Sequence, residues 1–116
     1  MVFVVNTELN MGRGKQCAQV AHAAVALSVE MLTSSDELHN LMFNVWYTSG
    51  QKKIVLRGET LEEVLRILDK ARTAGRPNHL VTDAGHTQIA PGSKTVLAIF
   101  GSEDELQDIT GSLRLL

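Results

Sequence analysis

The chain has one cysteine, two prolines, one tryptophan and one tyrosine in 116 residues, and it has no strong excess of either charge. Each shortage excludes something. A lone Cys17 cannot close an intrachain disulfide, and a small chain without disulfides suits a reducing compartment, so a cytoplasmic protein is expected. Mitochondrial association is the alternative if a further segment precedes Met1. No charged leader followed by an apolar run and a cleavage site opens the sequence, and no apolar run approaches the roughly 20 residues of a membrane helix. A formal net charge of −2 gives no general electrostatic case for nucleic acid, so any such binding must rest on a local patch.

What is present is a good apolar inventory, 44% of the residues, and no Pro/Gly/Ser tract to divide it. That predicts one domain over residues 1–116. A domain of this size buries roughly two-thirds of its unfolded surface, enough for a core without staples. There is no internal repeat.

Val2-Phe3-Val4-Val5 is a β-branched apolar run that reads as a strand buried on both faces. After the polar residues 6–10 and the glycines Gly12 and Gly14, a helical pattern runs from Lys15 to Leu32, with Ala18, Ala21, Val25, Val29 and Leu32 as its expected stripe. Ser34 followed by Glu37 reads as a capping box for a second helix reaching about Tyr47, with Leu38, Leu41, Met42, Val45 and Trp46 expected inside. Ile54-Val55-Leu56 is the second strand. Thr60 and Glu63 open a third helix whose stripe is Leu61, Val64, Leu65, Leu68 and Ala71 and whose stop is Gly75-Arg76-Pro77. His79–Thr82 and Thr95–Phe100 read as the third and fourth strands, and Ser102 starts a last short helix.

Strand-helix-strand-helix-strand predicts parallel strands one to three. Only a polar loop separates strands three and four, with no helix to carry a parallel crossover, so strand four is expected to be antiparallel. The fold class is therefore a three-layer α/β/α domain with a four-stranded mixed sheet. The loops after strands one and three leave the same carboxyl edge, where open α/β sheets place their ligands.

Two polar clusters belong to those loops. One is Met11-Gly12-Arg13-Gly14-Lys15 followed by Gln19 and His22; the other is Asp83-Ala84-Gly85-His86-Thr87-Gln88-Ile89-Ala90-Pro91-Gly92. On a helix turning about 100° per residue, Lys15, Gln19 and His22 share one stripe, expected to face outward toward the sheet edge. Gly12, Arg13, Gly14 and Lys15 at a helix start are suited to phosphate contacts. They do not form a nucleotide P-loop, because Gln16 stands at the hydroxyl position, and Cys17 breaks a GxGxxG. Cys17 and His22 point about 140° apart, which disfavours a thiol–imidazole pair. No GxSxG elbow occurs, and the histidines at 22, 39, 79 and 86 show no metal-ligand spacing. The remaining set suits acid/base hydrolysis by water, although each polar loop residue can also satisfy its own backbone.

Met11–Lys15, Ala18-Gln19, His22-Ala23, Trp46, Gly50-Gln51 and the run from Asp83 to Ser93, in that order, resemble the archaeal and eukaryotic peptidyl-tRNA hydrolase 2 family. The likeness covers essentially the whole chain. It implies hydrolysis of the ester joining a peptide to the terminal ribose of tRNA, a four-stranded mixed sheet, and no metal or organic cofactor. The implicated positions match here as Lys15, Gln19, His22, Asp83 and Thr87. Two departures stand out: His86 replaces a usual basic residue, and Val20-Ala21 replaces a small polar pair.

The resulting expectation makes Lys15, His22, Asp83 and Thr87 catalytic and assigns Gly12, Arg13, Gly14, Gln19, His86 and Gln88 to substrate. Either His22, oriented by Asp83, activates the water, or Asp83 is the base and His22 orients substrate. For tRNA the expected local patch is Arg13, Lys15, Lys52, Lys53, Arg57, Arg76 and Lys94. The alternative function is a non-catalytic partner- or RNA-binding domain on the same scaffold. The sequence leaves monomer and homodimer open.

Overall fold

A computed structural model describes residues 1–84 and 89–116. The chain forms β1 (Val2–Asn6), a 3-10 turn (Thr7–Leu9), α1 (Arg13–Leu32), α2 (Glu37–Thr48), β2 (Ile54–Gly58), α3 (Leu61–Thr73), β3 (Asn78–Thr82), β4 (Lys94–Ile99) and α4 (Glu103–Thr110). The strands form one four-stranded sheet in the order β2-β1-β4-β3.

The α/β class and the mixed sheet agree with expectation, but the strand pairing differs in detail. Only β1 and β2 pair as parallel neighbours. β4 lies between β1 and β3 and is antiparallel to both, so β3 points along β1 without touching it. The reason lies in the side chains. Val96, Leu97, Ala98 and Ile99 are all fully buried, a continuous apolar run that belongs at the centre of a sheet. β3 carries Asn78, His79 and Thr82 and takes the edge. On the opposite side, residues 114–116 run along β2: Arg57 N donates to Arg114 O at 2.8 Å and Leu116 N to Val55 O at 3.0 Å.

Alternation in β1 divides the core. Phe3 and Val5 pack with Ala23, Leu27, Met31 and Phe43 under α1 and α2. Val2 and Val4 pack with Val64, Leu68, Leu106 and Ile109 under α3 and α4. Helices therefore cover both faces of the sheet.

The helix starts follow local chemistry. Thr60 caps α3 by accepting from Glu63 N, and Ser102 with Glu105 forms a reciprocal capping box on α4. α2 departs from expectation: its cap is Asp36, which accepts from Leu38 N, while Ser34 Oγ accepts from Asp36 N.

The faces of the first two helices also differ from the sequence reading. α1 buries Gln19, Ala23, Leu27 and Met31. Its expected stripe turns outward, with Val25, Val29 and Leu32 at 64%, 52% and 50% exposure. In α2 the buried residue is Phe43, with Met42 and Trp46 packed beside it, whereas Leu38, Leu41 and Val45 are exposed. α3 buries Val64, Leu68 and Ala71 as expected together with Ile67, while Leu61 and Leu65 stay exposed. α1 is apolar nearly all round, so periodicity alone cannot choose which side meets the sheet.

Candidate active site

The site begins at the carboxyl ends of β1 and β3. Gly12 is the N-cap of α1, and the first turn contains Arg13 and Lys15 with no acidic residue. Two cations at a helix N-terminus oppose the helix dipole, which favours anions there. A local rule broken in this way is usual where a site needs it.

Lys15 finds its counter-charge across the loop. Its Nζ lies 3.0 Å from Asp83 Oδ1, with both side chains largely buried, at 11% and 8% exposure. The backbone of Asp83 is held by two hydrogen bonds to the start of β4: Asp83 N donates to Ser93 O at 2.9 Å, and Gly92 N donates to Asp83 O at 3.0 Å. Gly92 has φ +80, a conformation that glycine reaches at little cost. The carboxylate is thus fixed at the base of its loop before any ligand arrives. Taking two charges out of water costs several kcal/mol per ion before their attraction offsets it, so such a pair is weak evidence for stability and better evidence for a task.

Next along α1 and the neighbouring strands is a set of buried polar contacts. Gln19, one turn after Lys15, is buried rather than outward-facing, and its Oε1 accepts from Thr95 Oγ1 at 2.6 Å. At the end of β1, buried Asn6 donates through Nδ2 to Lys94 O at 3.0 Å and accepts from Glu8 N at 3.2 Å. Sequence reasoning missed Asn6 and Thr95. Their signal was a polar residue at the site end of an otherwise apolar strand.

His22 lies elsewhere. It is exposed on α1, seven residues from Lys15 and so about 10 Å along the helix axis. It lines a shallow hollow with Ala18, Ala21, Val25, Val29 and Glu30. The structure therefore brings Lys15 to Asp83 and Gln19 to Thr95, and it leaves His22 two turns away. Gly12, Arg13 and Gly14 are exposed at the helix start. Gly85, His86, Thr87 and Gln88 lie outside the described residues.

The expected cations divide between the two ends of the sheet. Arg13, Lys15 and Lys94 surround the carboxyl edge, where Lys94 Nζ donates to Thr82 Oγ1 at 2.8 Å. Lys52 and Lys53 precede β2 at the opposite edge, with Lys52 paired to Glu103 and Lys53 over the Trp46 ring at 5.0 Å. Arg76 precedes β3 at that same edge and pairs with Glu105. Arg57 donates to Leu115 O at 3.2 Å. Among the described residues no group of three His, Cys, Asp or Glu is placed to hold a metal ion, and no helix is long and apolar enough to cross a membrane.

Fold and edge together define a small α/β protein whose site combines a cationic helix start with a carboxylate at a strand end. Within that class the chain belongs to the peptidyl-tRNA hydrolase PTH2 family, whose model, described as "Peptidyl-tRNA hydrolase PTH2", matches residues 1–116. Among similar proteins named "Peptidyl-tRNA hydrolase", one from Metallosphaera sedula is 44% identical over 100% of this chain and 98% of its own. One from Sulfurisphaera tokodaii is 45% identical over 100% and 97%, and one from Saccharolobus islandicus is 42% identical over 100% and 98%.

Proposed function

We propose that this protein hydrolyses peptidyl-tRNA, freeing tRNA from its peptide, and that the Lys15–Asp83 pair is the reacting centre. Full-length membership of the family supports the activity, and the 3.0 Å contact at the sheet's carboxyl edge is the observation that carries the assignment of residues. In this reading Asp83 takes a proton from water as the water oxygen attacks the ester carbonyl carbon. Lys15 stabilises the negative charge that develops on the carbonyl oxygen. Collapse of the tetrahedral intermediate breaks the bond to the ribose oxygen, which receives the proton from Asp83. The products are a free peptide carboxyl group and a tRNA with a free terminal hydroxyl.

The axial separation favours Asp83 over His22 as the base. His22 then contacts the substrate farther along α1, Gln19 and Thr95 hold each other by their buried hydrogen bond one turn along α1 from Lys15, and Thr87 positions water or ribose. Gly12, Arg13, Gly14, His86 and Gln88 complete the substrate contacts. The tRNA backbone is held by Arg13, Lys15 and Lys94, and the functional unit is a homodimer.

Turnover of purified peptidyl-tRNA by single variants tests the assignment. Asp83→Asn should lower kcat by about 100-fold or more, the usual worth of a general base, and Lys15→Ala by about as much. His22→Ala should mainly raise KM. Loss of kcat in His22→Ala with near-native kcat in Asp83→Asn would make His22 the base. Near-native turnover in both Lys15→Ala and Asp83→Asn would remove the site altogether.

A further inference from the structure

The sheet has two outer strands, and the chain treats them differently. Residues 114–116 lie along β2, with Arg57 N donating to Arg114 O at 2.8 Å. Beyond β3, at the other end of the order β2-β1-β4-β3, no strand lies among the described residues. β3 also lacks the usual means of blunting an edge, such as a proline, a lysine or a bulge of its own. Its residues are Asn78–Thr82. Where the register to β4 slips, Leu80 faces Leu97 and Thr82 faces Lys94, so the extra residue belongs to β4.

The open side presents main-chain donors and acceptors. Pro77 O accepts from Phe100 N at 2.9 Å, and Asp83 N donates to Ser93 O at 2.9 Å. Both residues therefore turn their main-chain groups toward β4. The direction alternates along a strand, so Asn78, Leu80 and Thr82 turn their N–H and C=O groups outward. An extended chain added at such an edge is held by its main chain.

We infer that this edge binds the peptide portion of peptidyl-tRNA as an added strand, parallel to β3, with the last peptide carbonyl beside Asp83. This placement rests on the hydrolytic reading above and adds to it where the peptide lies. β3 runs toward the carboxyl edge and ends at Thr82. The next residue is Asp83, whose Oδ1 is 3.0 Å from Lys15 Nζ. A peptide whose C-terminal ester sits at that pair and which runs back along β3 meets outward groups at the spacing of its own strand.

α1 supplies a wall to the same edge. It runs antiparallel to β3, since Lys15 meets Asp83 at one end and Glu30 Oε1 lies 2.6 Å from His79 Nδ1 at the other. Glu30 marks the side of α1 that overlooks β3, and Ala26 and His22, four and eight residues before it, share that side. Ala26 is small and leaves room for peptide side chains, and His22 stands nearest the reacting pair. Between Lys15 and Glu30, α1 has no Asp, Glu, Lys or Arg, so this wall offers nothing to a phosphate backbone. Arg13 and Lys94 begin α1 and β4 at the carboxyl edge instead. The peptide and RNA halves of the substrate thus separate, and main-chain pairing suits substrates that share a backbone and little else.

Turnover of a graded series of peptidyl-tRNAs tests the placement. kcat/KM should rise by about 10-fold or more as the peptide lengthens from one N-acetylated residue to four, which span the roughly 13 Å of β3. Longer peptides should add less than about 2-fold once the edge is filled. In four-residue peptides, N-methylation of one amide at a time should lower kcat/KM at alternate residues only, because every second N–H faces β3. A stable analogue with an amide in place of the ester should slow hydrogen exchange at Leu80 N–H by about 10-fold or more, and deacylated tRNA should not. Hydrolysis without dependence on length would overturn the inference and leave the hydrolytic reading standing. Dependence on length without alternation would overturn the strand pairing, as would unchanged exchange at Leu80. If no member of the series is hydrolysed, the hydrolytic reading fails, and exchange at Leu80 alone then decides whether the edge takes a peptide.

Discussion

Thr95 is a strand residue by position and a site residue by contact. Its hydroxyl, fully buried, gives Gln19 its hydrogen bond. Thr95→Val keeps the volume but leaves a buried amide oxygen without that donor. Such a loss costs about 1–3 kcal/mol, which urea denaturation should read as a lowered midpoint with an unchanged slope. Adding Gln19→Leu removes both partners and should restore part of the stability, so the two changes should be non-additive. The sequence showed Lys15 and Asp83 as chemically loaded positions, because a cationic helix start and an acid just past a strand are local patterns. Thr95 and Asn6 were not visible in that way, since a polar residue at a strand end acquires its meaning only from the helix lying over it.

Among the elements, α4 shows how a cap couples to pH. The Ser102 backbone N–H, and after it the Ser102 hydroxyl and the Arg76 charge, hold the Glu105 carboxyl below its ordinary 4.5 against an opposing desolvation effect. A depressed folded-state value means that the cap's contribution is present above the unfolded value and is lost as pH falls through the folded one. The melting temperature of the wild type should therefore exceed that of Glu105→Gln near neutral pH, and the difference should shrink progressively below about pH 4.5. Equal differences at pH 7 and pH 3 would show that the charge is not what holds the cap.

Element boundaries were largely legible. Strand runs, the Thr60 and Ser102 caps and the stop at Gly75 all lie where local chemistry puts them. The inner faces of α1 and α2 were not legible, and the error is instructive. The Val25, Val29 and Leu32 row has the period of a core stripe, whereas the side that meets the sheet contains Gln19 and Ala23. Sequence periodicity records that a face is apolar and says nothing of what it lies against. The pairing of β3 was missed for a related reason: strand direction follows from crossovers, but the choice of neighbour depends on which strand can be buried on both sides, and β4 is the more apolar.

At the scale of the whole molecule, the cations are distributed in a way that composition could not show. If tRNA lies across the carboxyl edge, Arg13→Ala and Lys94→Ala should each raise KM and flatten its dependence on salt, since each phosphate contact releases counterions. Lys52→Ala and Lys53→Ala, at the opposite edge, should leave both unchanged. An equal effect from all four would place the RNA along the entire sheet.

The short strip from Arg114 to Leu116 along β2 has a consequence for how copies of this protein can accumulate. In the strand order β2-β1-β4-β3, that strip occupies the outer side of β2, while among the described residues no strand lies beyond β3. Unpaired sheet edges are templates for another chain, and a fibril grows only from units that can be joined at two opposite ends. With one end already occupied by its own chain, this sheet can accept an edge partner on one side alone. The strip makes the β2 end a very short edge, so among the described residues the longer edge open to another strand is that of β3, and a contact made there joins two copies by one edge each.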